Sequence, residues 1–208
     1  MTTKNSKGRP ALISKKEIIE CALTLGLSKA SMNGLGKALG VTAPALYRHM
    51  KSKNELIVEC CDYIMGKVEL PKQSDWESYL YDFGENFRQV LLATPGSVEF
   101  IRYNQQFTPN SKILVDNALG VLMNAKFDVQ TGFMAFSSIF TRVTDIVQHQ
   151  EQSQYLLSNG VKPDLQLPDA ETLPNLALLF GEVKPVNYDN YFKDGMKITL
   201  EGIKAVYC

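Results

Sequence analysis

The sequence predicts an all-α protein in which a small N-terminal head of three helices precedes a larger helical body. Apolar residues recur at intervals of three and four along most of the chain, which is typical of amphipathic helices. We find no convincing stretch with the strict alternation of a β-strand. The chain has 208 residues, of which 45% are apolar, so it can bury a substantial core and is not a disordered protein.

The front of the chain is predicted to form two short helices after a polar start. Ser14 and Glu17 have the spacing of a capping box, and the helical repeat that follows them ends at Gly26. Ser31 can cap the second helix. We expect the inner face of that helix to carry four apolar residues, Met32, Leu35, Ala38 and Leu39.

Two glycines, Gly34 and Gly36, lie inside the second helix. Each costs on the order of 1 kcal/mol against alanine, because glycine loses the most backbone freedom when a helix forms. We therefore expect the head to be loosely held.

A glycine turn leads from the second helix into the third. Gly40 and Val41 form the turn, and Thr42 begins the third helix with Pro44 in its first turn, where a missing amide costs little. Two short helices joined by such a turn are typical of a helix-turn-helix. The predicted buried side of the third helix consists of Leu46, Tyr47 and Met50.

The predicted body begins after a connecting helix. Asp75 caps the first helix of the body, and Pro95 ends it. Residues 151–172 are polar and contain prolines, so we expect them to form a loop. The remaining helices are predicted over residues 97–107, 111–125, 128–150, 173–180 and 188–205.

The chain thus divides into four parts. Residues 1–13 form a basic flexible arm, and residues 14–53 form the head. Residues 54–70 form the connecting helix. Residues 71–208 form the body.

Charge is distributed unevenly, although the net charge is zero. Residues 1–54 hold ten basic and two acidic side chains, a balance of +8, whereas the remaining 154 residues hold 12 basic and 20 acidic ones, a balance of −8. A basic end on an acidic body is typical of a protein that contacts a polyanion with that end alone. We therefore predict nucleic-acid contact by the head; a solvated lysine-rich tail is the alternative.

The sequence also argues against several classes of protein. Two histidines and scattered carboxylates form no recognisable catalytic constellation, so we do not expect an enzyme. No apolar run approaches the roughly 18 residues of a membrane span. The start, MTTKNSKGRP, lacks the apolar stretch of a secretory signal. We expect a cytoplasmic protein that does not contact membranes.

The four cysteines form no CxxC pair, and we expect neither a disulfide scaffold nor a metal or other cofactor. Cys60 and Cys61 are adjacent on the predicted connecting helix. We expect them to be buried and inert; the alternative is that their oxidation shifts the head.

Residues 39–56, LGVTAPALYRHMKSKNEL, carry the most specific motif. The turn glycine, the tyrosine, the histidine and the lysine have the spacing found in the DNA-binding head of the tetracycline repressor (TetR) family of transcriptional regulators. The chain resembles that head over about residues 14–66. The resemblance implies a ligand-responsive repressor that binds operator DNA.

The body resembles the tetracycline repressors more weakly. Residues 76–92 resemble the first core helix of those proteins, and residues 127–151 and 191–203 resemble their two dimerisation helices. The resemblance implies a homodimer held together by a four-helix bundle, with helices near residues 128–150 and 188–205 from each copy.

Ten residues of the head are predicted to contact DNA. Arg48 can hold guanine through two hydrogen bonds, or it contacts phosphate only. Lys53 lies at the start of a helix, which suits a phosphate, and His49 is a further phosphate donor. The arm either enters a minor groove or only adds charge through Lys4, Lys7 and Arg9. The ten residues are Ser31, Asn33, Thr42, Ala43, Pro44, Ala45, Tyr47, Arg48, His49 and Lys53.

The resemblance also implies a cavity for a small-molecule effector in the body. Phe100 and Phe140 fall where tetracycline repressors place metal-chelating histidines, so we expect neither a metal nor tetracycline there. The many aromatic residues predict an apolar or aromatic effector with one polar handle. The alternative is a dimeric DNA-binding regulator controlled by a protein partner, with no small-molecule site. The residues predicted to bind the effector are Phe83, Phe87, Phe100, Tyr103, Asn104, Met123, Phe136 and Phe140.

A ligand with a polar handle also needs a polar group in the cavity to orient it. The polar side chains that we consider for this role are Arg102, Asn104, Gln105, Arg142, Asp145 and His149.

Overall fold

A computed structural model describes residues 13–161, 169–182 and 184–207. Over these residues the protein contains ten α-helices and no strand, which confirms the predicted all-α class. The predicted basic arm, with Lys4, Lys7 and Arg9, lies almost entirely outside the described residues. None of the described helices has both the length and the apolar character needed to cross a membrane.

The helices follow one another in a head, a connecting helix and a body. The head consists of α1 to α3, the connecting helix is α4, and the body consists of α5 to α10. Their bounds are α1 Lys15–Leu25, α2 Met32–Leu39, α3 Ala43–Tyr47, α4 Lys53–Met65, α5 Trp76–Leu92, α6 Ser97–Tyr103, α7 Pro109–Asn124, α8 Val129–Ser158, α9 Pro174–Gly181 and α10 Tyr188–Tyr207.

The helix starts in the head are set by side-chain caps. The Ser14 amide donates to Glu17 Oε2 at 2.7 Å, and the Glu17 amide donates to Ser14 Oγ at 3.2 Å, so the predicted capping box is confirmed. Ser31 Oγ accepts from the Gly34 amide at 3.0 Å. Gly40 ends α2 with a φ of 66°, in the left-handed region that glycine adopts without strain.

The core of the head is smaller than the apolar pattern predicts. Leu35, Leu46 and Met50 have no exposed surface. Two predicted inner residues are instead exposed: Ala38 on α2, and Tyr47, whose exposed fraction is 50%. The reason is the length of α3. The helix ends at Tyr47, so Met50 packs inward from the turn that follows it, and Tyr47, next to the buried Leu46, points about 100° away from that residue.

The two glycines of α2 lie where the head packs most closely. A Cβ atom on Gly36 would lie 2.8 Å from the Val41 carbonyl oxygen, and one on Gly34 would lie 2.6 Å from the Lys29 carbonyl oxygen. Real Cβ atoms do not approach backbone this closely. The glycines therefore allow α2 to contact the chain before and after it, a packing role that helix propensity does not reveal.

The body is built around α8, which packs against α5, α6, α7 and α10. The core between α5 and α8 is aromatic. The ring centroids of Phe83 and Phe136 are 4.8 Å apart, and those of Phe87 and Phe140 are 4.9 Å apart. Such ring pairs contribute on the order of 1 kcal/mol beyond the area that they bury.

A buried arginine ties three helices of the body together. Arg88 on α5 is 6% exposed. Its Nη2 donates to Asp189 Oδ1 on α10 at 2.8 Å and to Gln150 Oε1 on α8 at 3.3 Å. The guanidinium also lies over the Phe192 ring, 4.9 Å from its centroid. These contacts join α5 and the second half of α8 to the start of α10.

Several predicted boundaries are wrong. Helix α4 ends at Met65 rather than near residue 70, and α6 ends at Tyr103 rather than near residue 107. Helix α8 continues to Ser158, through the first third of the predicted loop over residues 151–172. That stretch is polar but contains no proline or glycine before Gly160, so nothing in it breaks a helix. Residues 162–168 of the predicted loop lie outside the described residues.

The close contact at Gly36 can be tested by Gly36→Ala. We expect this variant to lower the free energy of unfolding by about 1–3 kcal/mol, because the new methyl group meets backbone that cannot move aside. Chemical denaturation followed by circular dichroism measures the change. The control is Gly120→Ala on the exposed side of α7, where a Cβ atom meets nothing within 4 Å. That variant should gain up to about 1 kcal/mol. A Gly36→Ala variant as stable as the parent would contradict the packing role.

Candidate nucleic-acid interface and ligand cavity

The residues predicted to contact DNA come from three neighbouring places in the fold: the start of α2, helix α3 with the residues that flank it, and the start of α4. None of the ten is buried. Helices α2 and α3 pack against each other through the Gly40 turn, so their exposed residues lie on adjoining surfaces. All ten predicted residues are therefore at least partly accessible to a binding partner.

Helix α3 presents polar groups and an aromatic ring to solvent. Thr42, Tyr47 and Arg48 are exposed, and His49 is partly buried. Within the part of the chain that the structure describes, no ion pair or side-chain hydrogen bond holds the Arg48 guanidinium. An exposed arginine with its donors uncommitted can bind guanine or phosphate.

The start of α4 brings a cation and backbone amides together. Ser52 caps the helix by accepting from the Glu55 amide at 3.1 Å, and Lys53 is the first helical residue. The Glu55 carboxylate accepts from the Lys51 amide at 2.6 Å. Glu55 was not among the predicted site residues, although the Ser52–Glu55 spacing of a capping box could have indicated it. The negative charge of Glu55 repels a phosphate, so a phosphate bound at the start of α4 would lie on the side of Lys53.

Two side-chain contacts hold α4 to α1 of the head. The Tyr63 hydroxyl donates to Glu20 Oε1 at 2.7 Å, and this hydrogen bond raises the pKa of Tyr63. Lys15 forms an ion pair with Glu59. Because both contacts join α1 to α4, a shift of α4 would also shift the head.

A cavity of about 330 Å³ lies in the body between α4, the α6–α7 loop, α7 and α8. Its volume falls in the range of small-molecule sites. All of the described side chains that line it are uncharged, and aromatic rings form much of its wall. The lining residues are Cys61, Met65, Ile101, Asn104, Gln105, Gln106, Phe107, Thr108, Ser111, Leu114, Val115, Phe133, Phe136, Ser137, Phe140 and Thr141.

Three of the eight residues predicted to bind an effector line this cavity: Asn104, Phe136 and Phe140. The other five do not. Tyr103 and Met123 are exposed elsewhere. The remaining three have no exposed surface and lie in the core behind the cavity wall: Phe83, Phe87 and Phe100.

The predicted polar partners are mostly committed to other contacts. Gln105 and Asn104 line the cavity, but Asn104 also bonds the Gln106 backbone through both atoms of its amide. Arg102 pairs with Asp145 at 3.2 Å, outside the lining. Two more lie away from the cavity: Arg142 donates from Nε to Thr199, and His149 packs against two tyrosines.

The cavity wall includes residues that the sequence did not indicate, among them Phe107, Phe133 and Cys61. The Cys61 thiol donates to the Phe100 carbonyl oxygen at 3.2 Å. Burial raises the pKa of Cys61 to about 12 and raises that of Cys60 as well. Both thiols are therefore protonated near neutral pH, which agrees with the prediction of buried, inert cysteines rather than with a redox role.

A metal site is not formed by the described residues. Nowhere among them do three or more histidine, cysteine, aspartate or glutamate residues lie close enough together to hold an ion. Phe140 lines the cavity and Phe100 lies behind it, so neither position supplies a ligand.

Two family models match this chain. Residues 18–60 match the model for bacterial regulatory proteins of the TetR family, and residues 70–207 match the tetracycline repressor-like C-terminal domain. The class D tetracycline repressor of Escherichia coli is 24% identical over 168 residues, which are 76% of this chain and 76% of the relative.

Solved structures show the same fold. ActR from Streptomyces coelicolor, in complex with actinorhodin, superposes with a TM-score of 0.78 at 21% identity, over 94% of this chain and 98% of ActR. TetR from Acinetobacter baumannii superposes with a TM-score of 0.71 at 22% identity, over 94% and 98% of the two chains. Together, the two family models cover most of the chain. The chain therefore belongs to the TetR family of bacterial regulatory proteins and, as its sequence predicts, is a DNA-binding regulator rather than an enzyme.

Proposed function

We propose that this protein is a transcriptional repressor in the cytoplasm that binds operator DNA as a homodimer and is released by a small, uncharged effector. One observation carries the proposal. Helix α4 begins at Lys53, beside the candidate DNA surface, and near its other end Cys61 and Met65 form part of the cavity wall. A ligand in the cavity therefore touches the helix that carries a DNA contact.

DNA binding is supported by the exposed residues around α3 and by the positive balance of the front of the chain. Arg48 reads a base or holds a phosphate, Lys53 holds a phosphate, and the small residues of α3 lie against the groove. Two copies then present two recognition helices about 34–36 Å apart, one turn of duplex DNA.

The homodimer is supported by an apolar surface that α8 and α10 leave uncovered. Ile198 and Val206 on α10 are 67% and 71% exposed, and Met134 on α8 is 50% exposed. A shallow groove between the two helices joins these residues. Apolar surface of this kind marks an interaction site, and two copies of this helix pair would form a four-helix bundle.

The chemistry of the cavity supports an uncharged effector. Transferring a charge from water into an apolar site without a partner costs several kcal/mol, and no lining side chain carries a compensating charge. Amides and hydroxyls, such as Gln105, Ser137 and Thr141, can orient a neutral molecule. ActR, which has the same fold, forms a complex with actinorhodin, and this supports a ligand rather than a protein partner as the controlling signal.

The salt dependence of DNA binding tests the role of Lys53. The affinity for a duplex obtained by in-vitro selection should fall linearly on a log–log plot against salt. Lys53→Ala should reduce the magnitude of the slope by about 0.9 for each lost phosphate contact, or about 1.8 for a dimer. Fluorescence anisotropy measures the slope. The control is Lys72→Ala, an exposed lysine beyond the far end of α4, which should not change it. An unchanged slope for Lys53→Ala would exclude the phosphate contact.

The dimer interface can be tested on exposed residues, whose substitution does not disturb the monomer core. We expect Ile198→Glu together with Val206→Glu to give a monomer in analytical ultracentrifugation and to weaken operator binding by at least about 100-fold, since one head reads only a half-site. The control is Ile113→Glu on α7, which is 56% exposed but lies off the α8–α10 surface. If the double variant stays dimeric, the interface lies elsewhere.

The charge of the effector can be tested with two fluorescent probes that share a ring system. N-phenyl-1-naphthylamine is uncharged, whereas 1-anilinonaphthalene-8-sulfonate carries a sulfonate. We expect the neutral probe to bind at least about tenfold more tightly, because the cavity offers the sulfonate no counter-charge. Val115→Phe, which places a ring in the cavity, should abolish binding, and Ile113→Phe, on the outer face of the same helix, should not. Equal binding of both probes would contradict an uncharged site.

A further inference from the structure

Three hydrogen bonds join the last turns of α4 to the first turn of α7. The Asn110 amide donates to Asp62 Oδ1 at 2.8 Å, and Asn110 Nδ2 donates to Asp62 Oδ2 at 2.9 Å and to the Asp62 carbonyl oxygen at 3.1 Å. Both side chains are partly buried. We call this contact the Asp62–Asn110 joint.

The joint is stronger than its hydrogen bonds alone suggest. Asp62 accepts from a backbone amide at the N-terminus of α7, where the helix dipole favours a negative charge. Hydrogen bonds to an ionised carboxylate are about twice as strong as bonds between neutral groups. Among the described residues, the other hydrogen bond from α4 to the body is that of the neutral Cys61 thiol.

A glycine allows the joint to close. A Cβ atom on Gly66 would lie 2.9 Å from Asn110 Nδ2 and 3.3 Å from the Asp62 carbonyl oxygen. The φ of Gly66 is −67°, which any residue adopts, so the position does not need glycine for its backbone conformation. What it needs is space for the Asn110 side chain.

The joint lies beside the cavity without forming part of its wall. On α4, Cys61 and Met65 line the cavity on either side of Asp62 in sequence. At the start of α7, Thr108 and Ser111 line it on either side of Asn110. A molecule between α4 and α7 therefore contacts both helices close to the Asp62–Asn110 joint.

We propose that Asp62 and Asn110 are positioning residues that make α4 follow α7 when the cavity is filled, and so transmit effector binding to the head. This inference rests on the function proposed above and names its means of regulation. The cavity and the DNA surface stay intact when the joint is broken. What is lost is the coupling between them, which in allosteric proteins typically amounts to about 5–150-fold in affinity.

The test compares operator affinity with and without saturating N-phenyl-1-naphthylamine. In the parent protein we expect the probe to raise the operator Kd at least about fivefold. Asn110→Asp places a second carboxylate against that of Asp62, so the two repel each other. Gly66→Ala places a methyl group against the Asn110 side chain and separates the joint without changing a polar group. Both variants should bind operator and probe as the parent does, while the probe changes their operator Kd less than about twofold. Full coupling in both variants would overturn the proposal.

A rescue variant and a matched control separate coupling from general damage. In the exchanged pair Asp62→Asn with Asn110→Asp, a side-chain amide again faces a carboxylate, so coupling should return in part. The control is Asn117→Ala on the same helix, which removes a hydrogen bond from the Tyr79 hydroxyl that does not involve α4. It should keep full coupling. Loss of coupling in this control, or no recovery in the exchanged pair, would contradict a specific role for the joint.

A second readout does not depend on any ligand. Operator binding fixes α4, so by linkage it should change the hydrogen-exchange rate of the Asn110 amide, which donates directly to Asp62, by at least about threefold. This change should be absent in Asn110→Asp. If the probe fails to bind or to release DNA while this change is seen, the effector proposal fails and the joint stands. If the exchange rate does not respond to operator, the joint is not the link.

Discussion

The packing of α4 against two different partners constrains the rest of the structure. This single helix of 13 residues packs on α1 of the head and on α6 and α7 of the body. The inner side of this helix is fully enclosed, since Leu56, Cys60 and Ile64 have no exposed surface. A protein interior packed this closely transmits displacement rather than absorbing it. Head and body are therefore coupled by the geometry of one helix, before any ligand is considered.

Three glycines of this fold permit close approach between neighbouring elements. Gly36 lets α2 meet the turn before α3, and Gly66 lets α4 meet the Asn110 side chain. In the body, a Cβ atom on Gly84 would lie 2.6 Å from the Met196 side chain, where α5 meets α10. Gly36 and Gly84 lie inside helices, where glycine costs stability locally but allows tertiary contacts in return, so the local cost alone misjudges their effect.

The body separates charge from its ligand cavity. Arg88, a buried charged residue, contacts Asp189, Gln150 and the Phe192 ring where α5 meets α8 and the start of α10, and its Nε has no hydrogen-bond partner among the described residues. The cavity between α4, α7 and α8 is lined by uncharged groups. The rings of Phe136 and Phe140 face the cavity and are backed by Phe83 and Phe87, so the wall is stiff as well as apolar. These features support the small, uncharged effector that we propose for this cavity.

The sequence alone determined the helical class, the helix-turn-helix and most helix starts, because caps such as Ser14 and Asp75 and the spacing of apolar residues are local signals. It also indicated a set of candidate DNA-contacting residues, none of which is buried, because most of them lie in one contiguous motif. Only the tertiary structure decided which aromatic residues line the cavity and which lie behind it. Helical spacing places both Phe87 and Phe140 on inward helix faces, but it does not show that Phe140 lines the cavity while Phe87 lies in the core behind it. The Asp62–Asn110 joint was equally hidden, because its partners are 48 residues apart and meet only when α4 and α7 pack.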